Sequence, residues 1–421
     1  MSGQPRRDRS RHRHLAAIVS ASAVIILAGC SSGVPHKASA SPESTSPPGS
    51  GAPLTAGCST AAAAARQLAT PRPVTVTVAG HPTALVGTAD GRWAFASVTG
   101  GSVTGGGQIT VLALGHGAPR LVRTVSLPTS VEGAYGMTIT GNGLLLVAGY
   151  TATAVLNVRA LEDGGHHPVL GVLSDAGTGE FEVTVSGDDR YAFVSDETSG
   201  GLSVFDLAAA LQHGFSASGV AVGIVPLAPG AVGVAMSPDG TRLYVTTFGA
   251  YGPYGRLWIV DTARAEAGAD GAAVLGHVAA GCQPVRVAVS PDSRTVWVTA
   301  LQSDALLGFS AADLRSDPSR ALQTVVRVGS EPVGLLLVDD GRLALVGNSN
   351  RGLVPGTGTA VPQTVVIIST AAALAHQPAL IGAVPTGLFP RDISLDPATG
   401  QVLLGNYSSD TVEAFTVPAA T

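Results

Sequence analysis

The chain has 421 residues, of which 54 are Gly, 27 are Pro and only 13% are charged. Net charge is −5 and the only lysine is Lys37, so the basic footprint of a nucleic-acid-binding protein is absent. Mean hydropathy is +0.34, yet no apolar run after residue 30 approaches the ~20 residues of a membrane helix. The apolar residues come in short pieces rich in Val, Leu, Ala and Thr, a pattern that suits many buried strands.

The chain opens on "PRRDRSRHRH", a basic stretch with Arg6, Arg7, Arg9, Arg11 and Arg13, followed by the apolar "LAAIVSASAVIILAGC". That apolar stretch is too short and wrongly flanked for a stable span and reads as an export signal. Its end, Leu27-Ala28-Gly29-Cys30, resembles a bacterial lipobox. The resemblance implies a lipoprotein signal peptide over 1–29 and a fatty-acylated Cys30. The other reading is ordinary cleavage with Cys30 as a bystander. A twin-arginine signal is poorly matched, because "RRDRSR" lacks the apolar residues such signals carry directly after the pair. Residues 30–57 are rich in Ser, Pro and Gly without apolar period and are expected to form a flexible tether. The lead-in 58–72 contains "STAAAAARQLA", whose Ala run favours a helix.

From residue 73 the sequence repeats. The turn residue ahead of each apolar strand falls at Gly91, Gly143, Asp189, Gly240, Ser293, Gly341 and Gly400, with spacings of 52, 46, 51, 53, 48 and 59. A period near ~50 with several strands per repeat predicts a propeller. Each repeat shows an inner strand A ending in the turn, a second strand B, a third strand C and a variable outer strand D. Strand B is nearly continuous in apolar residues, as "YAFVSD", "RLYVTT" and "TVWVTA", because sheets are to stack on both its faces. Seven A–B–C units are present with six D strands between them. The missing strand is supplied by "PVTVTVAG", 73–80, which is expected to complete the last blade, 388–417, and close the ring. The prediction is an all-β, seven-bladed propeller of four-stranded blades over 73–417.

"GVAMSPDGTRLYVTT…GRLWIVDT" (233–262) and "PVRVAVSPDSRTVWVTA" (284–300) resemble the YVTN-type propeller repeat. That repeat occurs in YncE-like periplasmic proteins, surface-layer proteins and seven-bladed lactonases. The resemblance spans about 73–417 and implies the fold; "GTADG", "TITGNG" and "LVDDG" depart from it in lacking Ser-Pro. WD40 repeats also use "SPDG", but their Gly-His and Trp-Asp markers are missing and their period is nearer ~40–45 residues.

Cys58 and Cys282 remain once Cys30 is set aside. In an oxidising compartment the pair is a disulfide candidate, the other arrangement being two buried thiols. Cys282 precedes Pro284 in the crossover into a new blade. A bridge is expected to draw the helical lead-in across or beside the channel mouth.

No haem, copper or other metal site is expected. The histidines (His12, His14, His36, His81, His116, His166, His167, His213, His277 and His376) do not converge, and redox centres need convergent ligands. Phosphate loops ahead of a helix and G-x-S-x-G elbows are also missing, so no cofactor is implied. Trp93, Trp258 and Trp297 fall within strands and read as packing. The B–C loop "GAYGPYGRL" (249–257) carries Tyr251 and Tyr254, candidates for a partner contact.

One column is unusual. Alternate residues of an inner strand face the central channel, and the column there is Ala84, Gly136, Glu182, Gly233, Arg286, Gly334 and Asp392. Three residues earlier stand His81, Gly133, Gly179, Gly230, Gln283, Glu331 and Phe389. One mouth thus gathers Glu182, Arg286, Asp392, Glu331, Gln283 and His81 as a candidate site for a small polar ligand. Coming from alternate blades, the three charged residues are expected to surround the axis, not to form one close pair. Two acids, one Arg and Glu331 favour a polar or cationic ligand over an anion, though Arg286 could still clamp a carboxylate bidentately. The alternative is that these groups only pair with one another.

Two functions follow from this reading. One is a lipid-anchored binding or scaffold protein on the extracytoplasmic face of the cell membrane, with a protein partner or a small polar ligand and no nucleic acid. The other is a lactonase-like hydrolase, in which Glu182 and Arg286 would serve as acid–base and oxyanion groups.

Overall fold

A computed structural model describes residues 54–58, 63, 65–68, 73–100, 106–115, 119–249, 254–349 and 363–417. The signal segment, Cys30, the tether as far as residue 53, His12, His14, His36, His116 and Tyr251 lie outside the described residues.

The described chain forms seven antiparallel sheets of four strands each. Blades 1 to 7 begin at inner strands His81–Gly87, Met137–Ile139, Glu180–Val185, Ala231–Met236, Pro284–Val289, Pro332–Val338 and Pro390–Leu395. In blades 1 to 6 the remaining strands follow in chain order towards the outside. Blade 7 takes its outer strand, Val74–Thr77, from the other end of the ring, with Val74 opposite Ala414 and Thr77 opposite Thr411. The ring is therefore closed without a covalent seam.

Local chemistry explains the repeat. Every residue of the turn column has positive φ: Gly91 64°, Gly143 85°, Asp189 58°, Gly240 70°, Ser293 59°, Gly341 77° and Gly400 70°. Glycine reaches this region at no steric cost, and Asp tolerates it better than most residues. In blades 3, 4 and 5 a Ser hydroxyl ahead of the turn bonds an Asp: Ser186 to Asp188, Ser237 to Asp239 and Ser290 to Asp292. Strand B lies between neighbouring sheets and is buried throughout, as in Leu144–Ala148 and Thr295–Ala300. Each fully buried Leu or Val there contributes about 1.5–3 kcal/mol. Outer strands alternate instead, as Arg120–Ser126 does. Trp258 and Trp297 are buried and Trp93 is half-buried.

Strand B also fastens blades together. The hydroxyl at its fifth position accepts the backbone N–H of the channel residue in its own blade and donates to a carbonyl of the next. Thr246 Oγ1 accepts from Gly233 at 3.0 Å and donates to Val285 at 2.7 Å. Ser97 links blades 1 and 2, Ser195 blades 3 and 4, and Thr299 blades 5 and 6 in the same way. Blades 2, 6 and 7 have Ala148, Gly347 and Gly405 at this position.

The lead-in is described in part. Of its Ala run, Ala63 and Ala65 are described, and neither is helical. Arg66–Leu68 is extended, with Gln67 in a parallel bridge to Ala383 on the outer strand of blade 6. Nor does the segment cross the mouth. Cys58 and Cys282 are bonded, with Cα atoms 5.2 Å apart. From there the described residues follow the outer rim: Ala56 packs at the blade 4–5 seam, Ala65 at the 5–6 seam and Leu68 at the 6–7 seam. Ala63 donates to Val328 and Leu68 to Ala383. Outer strands offer unpaired backbone groups, and the described lead-in residues satisfy some of them while packing at the seams.

Short helices were not anticipated between strands C and D. Val158–Asp163, Leu207–His213, Thr262–Gly268 and Thr370–Leu374 are capped by Asn157, Asp206, Asp261 and Ser369, each side chain accepting a backbone N–H of the first turn. Among the described residues no helix is long and apolar enough to cross a membrane.

Candidate functional site

The inner strands converge on the axis, and six of the seven carry a register slip beside the channel column. The slips fall at Pro82/Ala84, Glu180/Glu182, Ala231/Val234, Pro284/Val287, Pro332/Leu335 and Pro390/Asp392. A bulge sets two residues against one and re-aims side chains. The channel therefore receives consecutive residues, Phe181 with Glu182 and Arg391 with Asp392, where strict alternation gives one.

Glu182, Arg286 and Asp392 come together, contrary to the expectation that they only surround the axis. Arg286 Nη1 lies 2.6 Å from Glu182 Oε2, and its Nη2 lies 3.8 Å from Asp392 Oδ1. The side chains are 9%, 16% and 18% exposed. Small residues on intervening blades make the meeting possible. A Cβ on Gly136 would sit 2.6 Å from Glu182 Oε1. Asp392 Oδ2 also accepts the backbone N–H of Leu85 at 2.7 Å, tying blade 7 to blade 1. Burial pushes the Glu182 carboxyl up to about 7, against the pull of Arg286 and with a further push from Asp392. Burial raises Asp392 as well, again against Arg286.

The other expected mouth residues stand three positions ahead of the channel column in their blades. His81 Nδ1 is 2.6 Å from Asp410 Oδ1, and its ring stacks on Tyr407 with centroids 4.6 Å apart. Gln283 and Glu331 occupy the crossover turns into blades 5 and 6, at φ 51° and 52°. Their carbonyls accept from Leu301 and Ser349.

Sequence reasoning missed Arg391. Its guanidinium carbon lies 5.4 Å from the ring centre of Phe181, 5.8 Å from Phe389 and 5.3 Å from Tyr407. Phe181 continues the aromatic arc to Tyr135, at 5.7 Å and nearly parallel, and Arg286 lies 5.7 Å from its ring as well. Among the described residues Arg391 has no ion pair within 4 Å, and its buried Nε has no hydrogen-bond partner. Burial, with Arg286 nearby, lowers its pKa. Burial likewise pushes the Tyr135 phenol up to about 12. The second cation offsets the expected acidic excess of Glu182 and Asp392: Arg286 is engaged by both acids, and Arg391 makes no ion pair among the described residues. The signal in the sequence was the adjacency of Arg391 to Asp392 at a bulge position.

Among the described residues no group of three or more His, Cys, Asp or Glu is arranged to hold a metal ion. The acid and cation that hydrolysis of a lactone would draw on, Glu182 and Arg286, are engaged with each other.

No protein-family model matches the chain, and no curated protein does. Among solved structures the chain is similar to Kuenenia stuttgartiensis hydrazine synthase, at 14% identity and a TM-score of 0.63, over 82% of this chain and 98% of that one. At this identity the likeness concerns the fold, and it agrees with the ring described above: the chain is a seven-bladed β-propeller.

Proposed function

We propose that this protein is a lipid-anchored binding protein of the extracytoplasmic face of the cell membrane, and that its ligand seats at the channel mouth beside Arg391. The resemblance of Leu27–Cys30 to a lipobox and of the blades to the YVTN-type repeat supports the location. The Cys58–Cys282 bond is consistent with an oxidising compartment. The observation that carries the binding reading is the aromatic mouth over a charged floor, with a cation among the rings that has no ion-pair partner among the described residues. Ligand sites typically combine apolar walls with a few polar groups.

Two experiments test the two halves. Cys30→Ala is expected to abolish labelling by a fatty-acid analogue and to release the protein from the membrane fraction; retained label refutes anchoring. Soaking crystals with a small-fragment collection is expected to place fragments at the mouth. Fragments found only elsewhere refute the site.

A further inference from the structure

Arg391 combines three features that do not ordinarily coexist in an unoccupied guanidinium. Its flat surface is surrounded by the rings of Phe181, Phe389 and Tyr407, which displace water from it. Its natural partners are taken, since Glu182 pairs with Arg286 and Asp392 is held by both Leu85 N–H and Arg286. Its Nε is buried and has no acceptor among the described residues. A charged donor removed from water and left without an acceptor is costly. Cation–π contact compensates the face of the group but leaves its in-plane N–H edge unsatisfied.

The geometry points to a small carboxylate with a flat ring as the ligand of this mouth; this rests on the channel-mouth reading above and adds the ligand's charge and shape. The planar guanidinium edge matches a carboxylate through two parallel N–H···O bonds, which an ammonium cannot reproduce. The aromatic arc from Tyr135 through Phe181, and from Phe389 through Tyr407 to His81, offers stacking surface to the body of the same molecule. A cationic ligand is disfavoured, because Arg391 would face it with its charge uncompensated. A neutral oxygen would accept from the Nε edge without charge assistance, in a bond about half as strong.

Benzoate and benzamide separate charge from shape, having the same ring and nearly the same size. Binding of each to the purified full-length protein is followed by saturation-transfer NMR and calorimetry, for wild type, Arg391→Met and Arg391→Lys. Benzoate is expected to bind wild type, with benzamide at least about tenfold weaker, and Arg391→Met is expected to remove that preference. Arg391→Lys is expected to bind benzoate more weakly than wild type, since it keeps the charge but loses the paired edge. Should Arg391→Met fail to fold, the wild-type comparison and Arg391→Lys carry the test. Equal binding of the two probes, or a benzoate preference that survives Arg391→Met, overturns the anion assignment while leaving the mouth as a binding site. Binding of neither probe overturns it too, and the fragment soak then decides separately whether the mouth binds anything.

Discussion

The junction between blades 4 and 5 and the junction between blades 7 and 1 perform the same task with different parts. At the first, Thr246 on strand B bridges Gly233 N–H and Val285 carbonyl. At the second, strand B has Gly405 in that position, and the link comes from the channel: Asp392 Oδ2 reaches Leu85 N–H. A neutral hydroxyl staple has been exchanged for a carboxylate one. The carboxylate is also an ion-pair partner of Arg286, so the closing junction is coupled to the charge state of the axis and the regular junction is not. The repeat thus keeps its geometry where its signature residue is lost, at the cost of placing charge in a half-buried channel.

The largest effect that would separate the two junctions is expected from deleting 73–80. Blade 7 then loses its outer strand, Val74–Thr77, and the thermal unfolding midpoint should fall further than for any point change. An unchanged midpoint would show that the closing strand contributes nothing. Next comes Asp392→Ala, which removes the Leu85 partner and one of the two acids on Arg286; breaking such a buried network costs about 3–5 kcal/mol. Thr246→Val leaves Gly233 N–H and Val285 carbonyl unpaired and should cost about 1–3 kcal/mol. Denaturant titration of the two variants ranks them. If Thr246→Val proves the more damaging, the carboxylate is not the fastener of the closing junction.

The smallest and most diagnostic effect is pH dependence. Glu182 sits near 7 in the folded chain against 4.5 for an unperturbed Glu. The folded state holds this proton more tightly, so the stabilisation is full below about 4.5 and is lost as pH rises through 7. Asp392, raised by burial, and the buried Asp196, which is pushed up to about 7, act in the same direction. Asp90, Asp188, Asp239 and Asp292, held below the ordinary Asp range by hydroxyl and backbone hydrogen bonds, act oppositely. Asp90 is held down to about 2 by the Thr88 hydroxyl and the Arg92 backbone, and its contribution disappears only as pH falls below the ordinary Asp range. Stability should therefore peak in mild acid. Glu182→Gln should flatten part of the decline towards neutrality, and an unaltered profile would remove Glu182 from this account.

The turn residues revealed the ring because each must adopt positive φ, a demand that leaves its mark on residue type. The closing strand was legible because an odd strand needs a partner. The helices after strand C were not, although their caps, such as Asp206 and Asp261, were visible; read inside a strand pattern, each looked like the strand's polar end. The pairing of Arg66–Leu68 was not legible either, because it is set by a distant strand edge at Ala383 and leaves no local mark. The site was half legible. Alternation located Glu182, Arg286 and Asp392. It could not show that bulges present Arg391 and Phe181 to the same space, because a register slip leaves no fixed trace in composition.

The rim-following segment has a mechanical consequence. A pull on the chain ahead of Cys58 reaches the Cys58–Cys282 bond before any hydrogen bond further along. Tension then enters the outer strand of blade 4, Val274–Cys282, and loads that ladder, while Val74–Thr77 stays slack. With the bond reduced, the same pull would travel along the rim, detach Ala63 and Arg66–Leu68, and arrive at Val74–Thr77 as a peeling force on the seam that closes the ring. The disulfide acts as a strain relief, keeping traction on the chain away from the noncovalent clasp.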